Sequence, residues 1–161
     1  MNNVVHVNFG PSSFALCEKA YAIDDYDPVE GIRLYRRAIH LDPMCDAAMT
    51  NLGRVYFRLG EFGAAETWWK RAIETNKRAA DAHYNLGYLW LVKEDYHLAI
   101  AHFEMSICIE PDFADAYYNM AEALGKLGRH EEARACLHTH IKLRGAWTVE
   151  ARAALGVRLV K

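Results

Sequence analysis

Residues 81–90 read DAHYNLGYLW, and an uncharged polar residue, Asn85, stands there among Tyr84, Leu86, Tyr88, Leu89 and Trp90. The same frame occurs earlier as DAAMTNLGRVY (46–56) and later as DAYYNMAEAL (115–124). Asn51, Asn85 and Asn119 lie 34 residues apart at each step, and other columns keep that step. Leu52, Leu86 and Met120 are large and apolar, Gly53, Gly87 and Ala121 are small, and Tyr56, Trp90 and Leu124 are bulky. Phe62, Tyr96 and His130 carry rings, Ala65, Ala99 and Ala133 do not vary, and Trp69, Phe103 and Leu137 are large again. Self-similarity at such a period signals a repeat array, in which each unit buries its apolar face against its neighbours.

Within a unit the apolar spacing is helical. Leu52, Tyr56 and Leu59 form one stripe and Phe62, Ala65, Trp69 and Ile73 a second, at steps of three and four. Residues that stop helices fall between the stripes: Gly60, the pair Glu94-Asp95, and Gly128. Asp42-Pro43 and Glu110-Pro111 close units, because proline disfavours helix at the residue before it. Each unit is therefore expected to be two helices joined by a tight turn. The small residues are expected to let those helices approach closely, Gly53 against Ala65 and Gly87 against Ala99.

With these residues in place the chain resembles the tetratricopeptide repeat family, whose pattern is W-x2-L-G-x2-Y…A-x3-F…P. It occurs here as Leu52-Gly53-x2-Tyr56…Ala65-x3-Trp69, and again as Leu86-Gly87-x2-Trp90…Ala99-x3-Phe103…Pro111. A third unit is worn: Met120-Ala121 replaces Leu-Gly, His140 stands at a small position, and Gly145 replaces the proline. A degenerate first unit matches through Gly31, Tyr35, Ala38 and Pro43, with Ala20 at the small position of its first helix. The resemblance implies an all-α fold, a right-handed superhelical solenoid of antiparallel helix pairs. Its expected parts are a tether over residues 1–12 and a single repeat domain over 13–161. The units are expected at about 13–45, 46–79, 80–113 and 114–147, with a capping helix over 148–161.

In that family the first helices of the units line a concave groove where ligands bind. Carried onto this sequence, the groove positions are Asn51, Arg54 and Arg58 in one unit and Asp81, Tyr84, Asn85 and Tyr88 in the next. The following unit supplies Asp115, Tyr118, Asn119, Glu122 and Lys126. The first unit adds Cys17, Glu18, Tyr21, Asp24 and Asp25, and Ala47 lies beside Asn51 in the second. A side-chain amide offers two donors and an acceptor, so a row of asparagines could hold the peptide units of an extended chain without reading its sequence. The alternative is that the asparagines bond locally between helices. A clamp for a C-terminal carboxylate does not fit, since Thr50, Arg54, Asp115 and Asn119 occupy four of its five places. The lining leans acidic, which suits a partner segment of some basic and some apolar character.

Other classes find little support. Of 161 residues, 19 are Lys or Arg and 21 Asp or Glu, which leaves no basic surface for nucleic acid or an acidic membrane. No apolar run approaches the roughly 18 residues of a membrane span, and the start has no signal-peptide pattern, so a cytoplasmic location is expected. The four cysteines, Cys17, Cys45, Cys108 and Cys136, form no C-x-x-C pair and are read as reduced small residues rather than zinc ligands or disulfide partners. His138 and His140 point about 200° apart around a helix and cannot share a metal. No phosphate loop, serine elbow or H-E-x-x-H motif occurs, so neither an enzyme nor a cofactor is expected.

The expected function is a protein–protein interaction module, an adaptor that binds a peptide segment or partner protein in its groove. Three alternatives remain open: a regulatory module of a bacterial transcription regulator, a secretion chaperone of the type III kind, and a self-assembling scaffold. A protein partner is expected, and a homo-oligomer is possible. The residues name neither the partner nor the pathway, since repeat scaffolds fix a fold while a few groove residues set the ligand.

Overall fold

A computed structural model describes residues 11–144 of the chain. Within them are eight helices and no strand: α1 (Ser13–Ile23), α2 (Pro28–Leu41), α3 (Asp46–Arg58), α4 (Phe62–Thr75), α5 (Ala80–Val92), α6 (Tyr96–Ile109), α7 (Ala114–Lys126) and α8 (His130–Arg144). The expected capping helix over 148–161 and most of the expected tether lie outside the described residues. Two compact units are formed, one up to Asn76 and one from Lys77, so that each described unit holds two helix pairs.

Local chemistry sets the helix ends. Ser12 opens α1 by accepting a hydrogen bond from the Ala15 amide at 3.1 Å. Asp27 caps α2 through the Glu30 amide, with Pro28 in the first turn, where its missing N–H costs nothing. Asp95 caps α6 through the Leu98 amide at 3.1 Å. Residues Asp42 and Glu110 are extended, as expected of residues that precede proline. The turns inside three helix pairs are made by Gly60, Glu94 and Gly128, at φ +79°, +60° and +75°. They stand 34 residues apart, so one backbone solution is used three times, and at Glu94 it is imposed on a residue with a Cβ.

The core follows the repeated columns. In the first unit Leu34, Tyr35, Met49, Leu52, Val55 and Trp69 are fully buried, and in the second Leu86, Leu89 and Phe103 are. Each such side chain stabilises by about 1.5–3 kcal/mol on leaving water. The glycines of the Leu-Gly pairs face different partners from those expected. A Cβ on Gly53 would meet the Trp69 indole at 2.5 Å, and one on Gly87 would meet the Phe103 ring at 2.7 Å. The space left by each glycine is filled by an aromatic ring one turn beyond the invariant alanine. Trp69 also donates its indole N–H to the Thr50 carbonyl at 3.0 Å, a bond Phe103 cannot make.

Candidate functional site

In the first unit the expected groove residues of α1 and α3 are joined by one buried carboxylate. Asp24 ends α1 and is 1% exposed. It accepts hydrogen bonds from the Tyr35 hydroxyl at 2.7 Å, from Arg54 at 3.1 Å and from Arg58 at 2.8 Å. Arg58 also donates to the Asp24 carbonyl and pairs with Asp25. Gly31 makes room for this carboxylate, since a Cβ there would lie 2.7 Å from the Asp24 Cβ. Burial, and then the bond to Asp24, push the Tyr35 phenol well above its ordinary range. Burial alone would loosen the Arg54 proton, but Tyr21 and Asp24 more than offset it, and the guanidinium lies 4.8 Å over the Tyr21 ring. Arg54 and Arg58 are thereby committed inside the unit, where the sequence suggested charges open to a ligand.

Beside this cluster lies a cavity of about 420 Å³, lined by Phe14, Cys17 and Tyr21 of α1 and by Cys45, Ala47 and Asn51 at the start of α3. Most of its surface is carbon, and Asn51 supplies an amide at its edge. The cavity thus gathers five expected groove residues, Cys17, Glu18, Tyr21, Ala47 and Asn51. Cys17 and Cys45 are also brought together, with their sulfurs 3.9 Å apart. No sequence spacing announces this contact, because it is made by the packing of α1 on α3.

The second unit is organised differently. The Tyr84 ring stacks on Phe113 with centroids 4.8 Å apart and tilts against Phe103 at 5.9 Å. Its hydroxyl accepts a hydrogen bond from the Asn119 amide at 2.9 Å, and Asn119 is 8% exposed. Burial, and then nearby Asp115, raise the Tyr84 phenol, while the Asn119 bond works the other way. Asn119 is therefore the inter-helix amide of the local reading. Asn51 and Asn85 are half-buried and form no hydrogen bond through their amides among the described residues. Three asparagines in one column have two different fates.

The remaining expected residues also separate. Asp115 pairs with Arg144, and Tyr118 lies against the His140 ring at 5.3 Å. His140, placed where a small residue was expected, uses its Nδ1–H to bond the Ala114 carbonyl at 2.8 Å and so ties α8 to the start of α7. Tyr88 is 40% exposed, and Asp81, Glu122 and Lys126 are exposed with no ion pair among the described residues. Asp24, a groove acid on the sequence pattern, is instead a buried hub. The signal was available: counted from Ala20 as from Gly53, Asp24 stands where the next unit has Phe57, opposite the unusual Gly31. Among the described residues no three His, Cys, Asp or Glu side chains gather as metal ligands, and no helix is long and apolar enough to cross a membrane.

Residues 53–90 match the pattern described as TPR repeat, and residues 93–155 match the one described as Tetratricopeptide repeat. Superkiller protein 3 of Schizosaccharomyces pombe is 26% identical over 133 residues, 78% of this chain, which spans 9% of that protein's length. An uncharacterized protein of Methanocaldococcus jannaschii is 38% identical over 64 residues, which are 40% of this chain and 74% of the other. The crystal structure of MamA is similar at a TM-score of 0.73 and 26% identity, covering 84% of this chain and 80% of that one.

Proposed function

Because this chain belongs to the tetratricopeptide repeat family, we propose that it is an adaptor whose first helices hold a peptide segment of a partner protein. The observation that carries this reading is the pair of uncommitted amides. Asn51 and Asn85 each keep two donors and an acceptor free on a first helix, and Asn51 stands at the edge of an apolar cavity. Neither amide is sealed from solvent, so each can exchange its water for a bond made from outside the chain. The charges left open, Asp81 and Glu122 against Lys126, lean acidic and support a segment carrying some basic residues.

The test compares the wild-type chain with Asn51→Ala/Asn85→Ala as bait in native extract. The double variant is expected to keep its thermal stability and to lose captured partners at least tenfold. Undiminished capture by a folded double variant would sink the assignment. Asn119→Ala does not belong in that test, since its amide is already used inside the second unit.

A further inference from the structure

We propose that Cys17 and Cys45 form a redox-active dithiol, closed to an intramolecular disulfide by a low-mass disulfide of the glutathione class and reopened by the matching thiol. The two residues are 28 apart in sequence, yet their sulfurs lie 3.9 Å apart across the α1–α3 contact. A disulfide needs about 2.0 Å, so the sulfurs must close by about 2 Å. The cavity they share gives both side chains room to turn, and both residues are half-buried rather than sealed. Cys136 is buried and Cys108 is exposed on α6, and among the described residues the pair Cys17–Cys45 is the one with cysteine sulfurs in contact.

Burial, then Cys45 and Asp42, push the Cys17 thiol up to about 12. One cysteine of the pair, as its thiolate, attacks one sulfur of the low-mass disulfide, breaks the S–S bond and expels one thiolate, which takes up a proton. The other cysteine then gives its proton to solvent, and its sulfur displaces the remaining low-mass thiol from the first. The protein loses two protons and two electrons, and the low-mass disulfide becomes two thiols. Because Cys17 must lose a tightly held proton before the bond closes, closure is slower at neutral pH than in mild alkali. Closure staples α1 to the start of α3 and changes the wall of the cavity that holds Ala47 and Asn51. This chemistry stands independently of what the cavity binds.

The experiment treats the native full chain with oxidised glutathione, quenches with acid and maps tryptic peptides by mass spectrometry. Residues 1–19 and 38–54 are the peptides that carry Cys17 and Cys45. They are expected to appear joined and two hydrogen masses lighter, while Cys108 carries a glutathione adduct. The joined peptide should form on the order of ten times faster in the native protein than in urea, because folding holds the sulfurs together. Mixed disulfide on one of the two cysteines should build up at neutral pH and drain faster at pH 9. Equal rates in native buffer and urea would overturn the proposal. So would separate, stable glutathione adducts on Cys17 and Cys45 under conditions that modify Cys108.

Discussion

The two units join their first helices by opposite means. In the first, α1 and α3 are held by charge: a carboxylate buried at 1% exposure receives two guanidiniums and a phenol. In the second, α5 and α7 are held by an aromatic stack, Tyr84 on Phe113, and by the Asn119 amide. Different columns of the repeat do this in each: Arg54 and Arg58 stand 34 residues before Tyr88 and Val92, whereas Tyr84 and Asn119 stand 34 residues after Thr50 and Asn85. A groove position therefore says where a residue sits in its unit, and its neighbours decide whether it is left for a ligand or consumed by packing. Arg54 and Asn119 are consumed, while Asn51 and Asn85 are not.

The largest break of this contrast comes from Asp24→Ala. It would strand a buried phenol and two guanidiniums and should destabilise the first unit by about 3 kcal/mol. That figure sits at the low end for a buried pair, because the guanidiniums are 34% and 35% exposed and are partly screened. Hydrogen exchange followed peptide by peptide should show the loss in residues 13–75 first; equal loss in both units would argue against a local hub.

Next come the two glycines. Gly53→Ala drives a Cβ into an indole that is also hydrogen-bonded to the Thr50 carbonyl, so it cannot retreat cheaply. A loss of about 2–3 kcal/mol in urea unfolding is expected there. Gly87→Ala meets Phe103, which has no such bond, and should cost less, about 1–2 kcal/mol. The reverse ranking would show that the Trp69 hydrogen bond does not decide the cost.

Protonation separates the units as well. Burial holds His83 below the ordinary histidine range, and it faces His102 with ring nitrogens 3.4 Å apart. The folded second unit thus takes up this proton at lower pH than the unfolded chain does. The contribution is intact above about pH 6.5 and is lost as pH falls from there, with a slope of at most about 1.4 kcal/mol per pH unit. His83→Asn should flatten that slope in unfolding curves measured between pH 7 and 5.

Asn119→Ala should lower the stability of the second unit by about 1 kcal/mol, whereas Asn85→Ala should change it by no more than a few tenths. Equal costs would return the three asparagines to one role. The smallest effect is a gain. Glu94 holds a left-handed backbone that Gly60 and Gly128 adopt without a Cβ. Glu94→Gly should therefore raise stability by up to about 1 kcal/mol, read as a higher midpoint in thermal unfolding.

Much of the fold was legible because its causes are local or periodic. The step of 34 placed the helix pairs, the turns at Gly60, Glu94 and Gly128, and the breaks before Pro43 and Pro111. The site was legible only as a set of positions. Nothing periodic tells Asn119 from Asn85, since the difference lies in whether a hydroxyl stands within reach across the helix contact. Tyr84 meets Asn119 from the preceding pair, 35 residues back. Glycine spacing also misled, because it shows that room is needed without showing which side chain takes it.

The sequence by itself determined the repeat and its helices, because hydrophobic period, caps and turn residues act within a few residues of chain. Only the tertiary structure decided that Asp24 is a hub, that Arg54, Arg58 and Asn119 are spent, and that Cys17 meets Cys45. Those outcomes depend on distances of 2.7–3.9 Å between residues 11–35 apart, set by how whole helices pack.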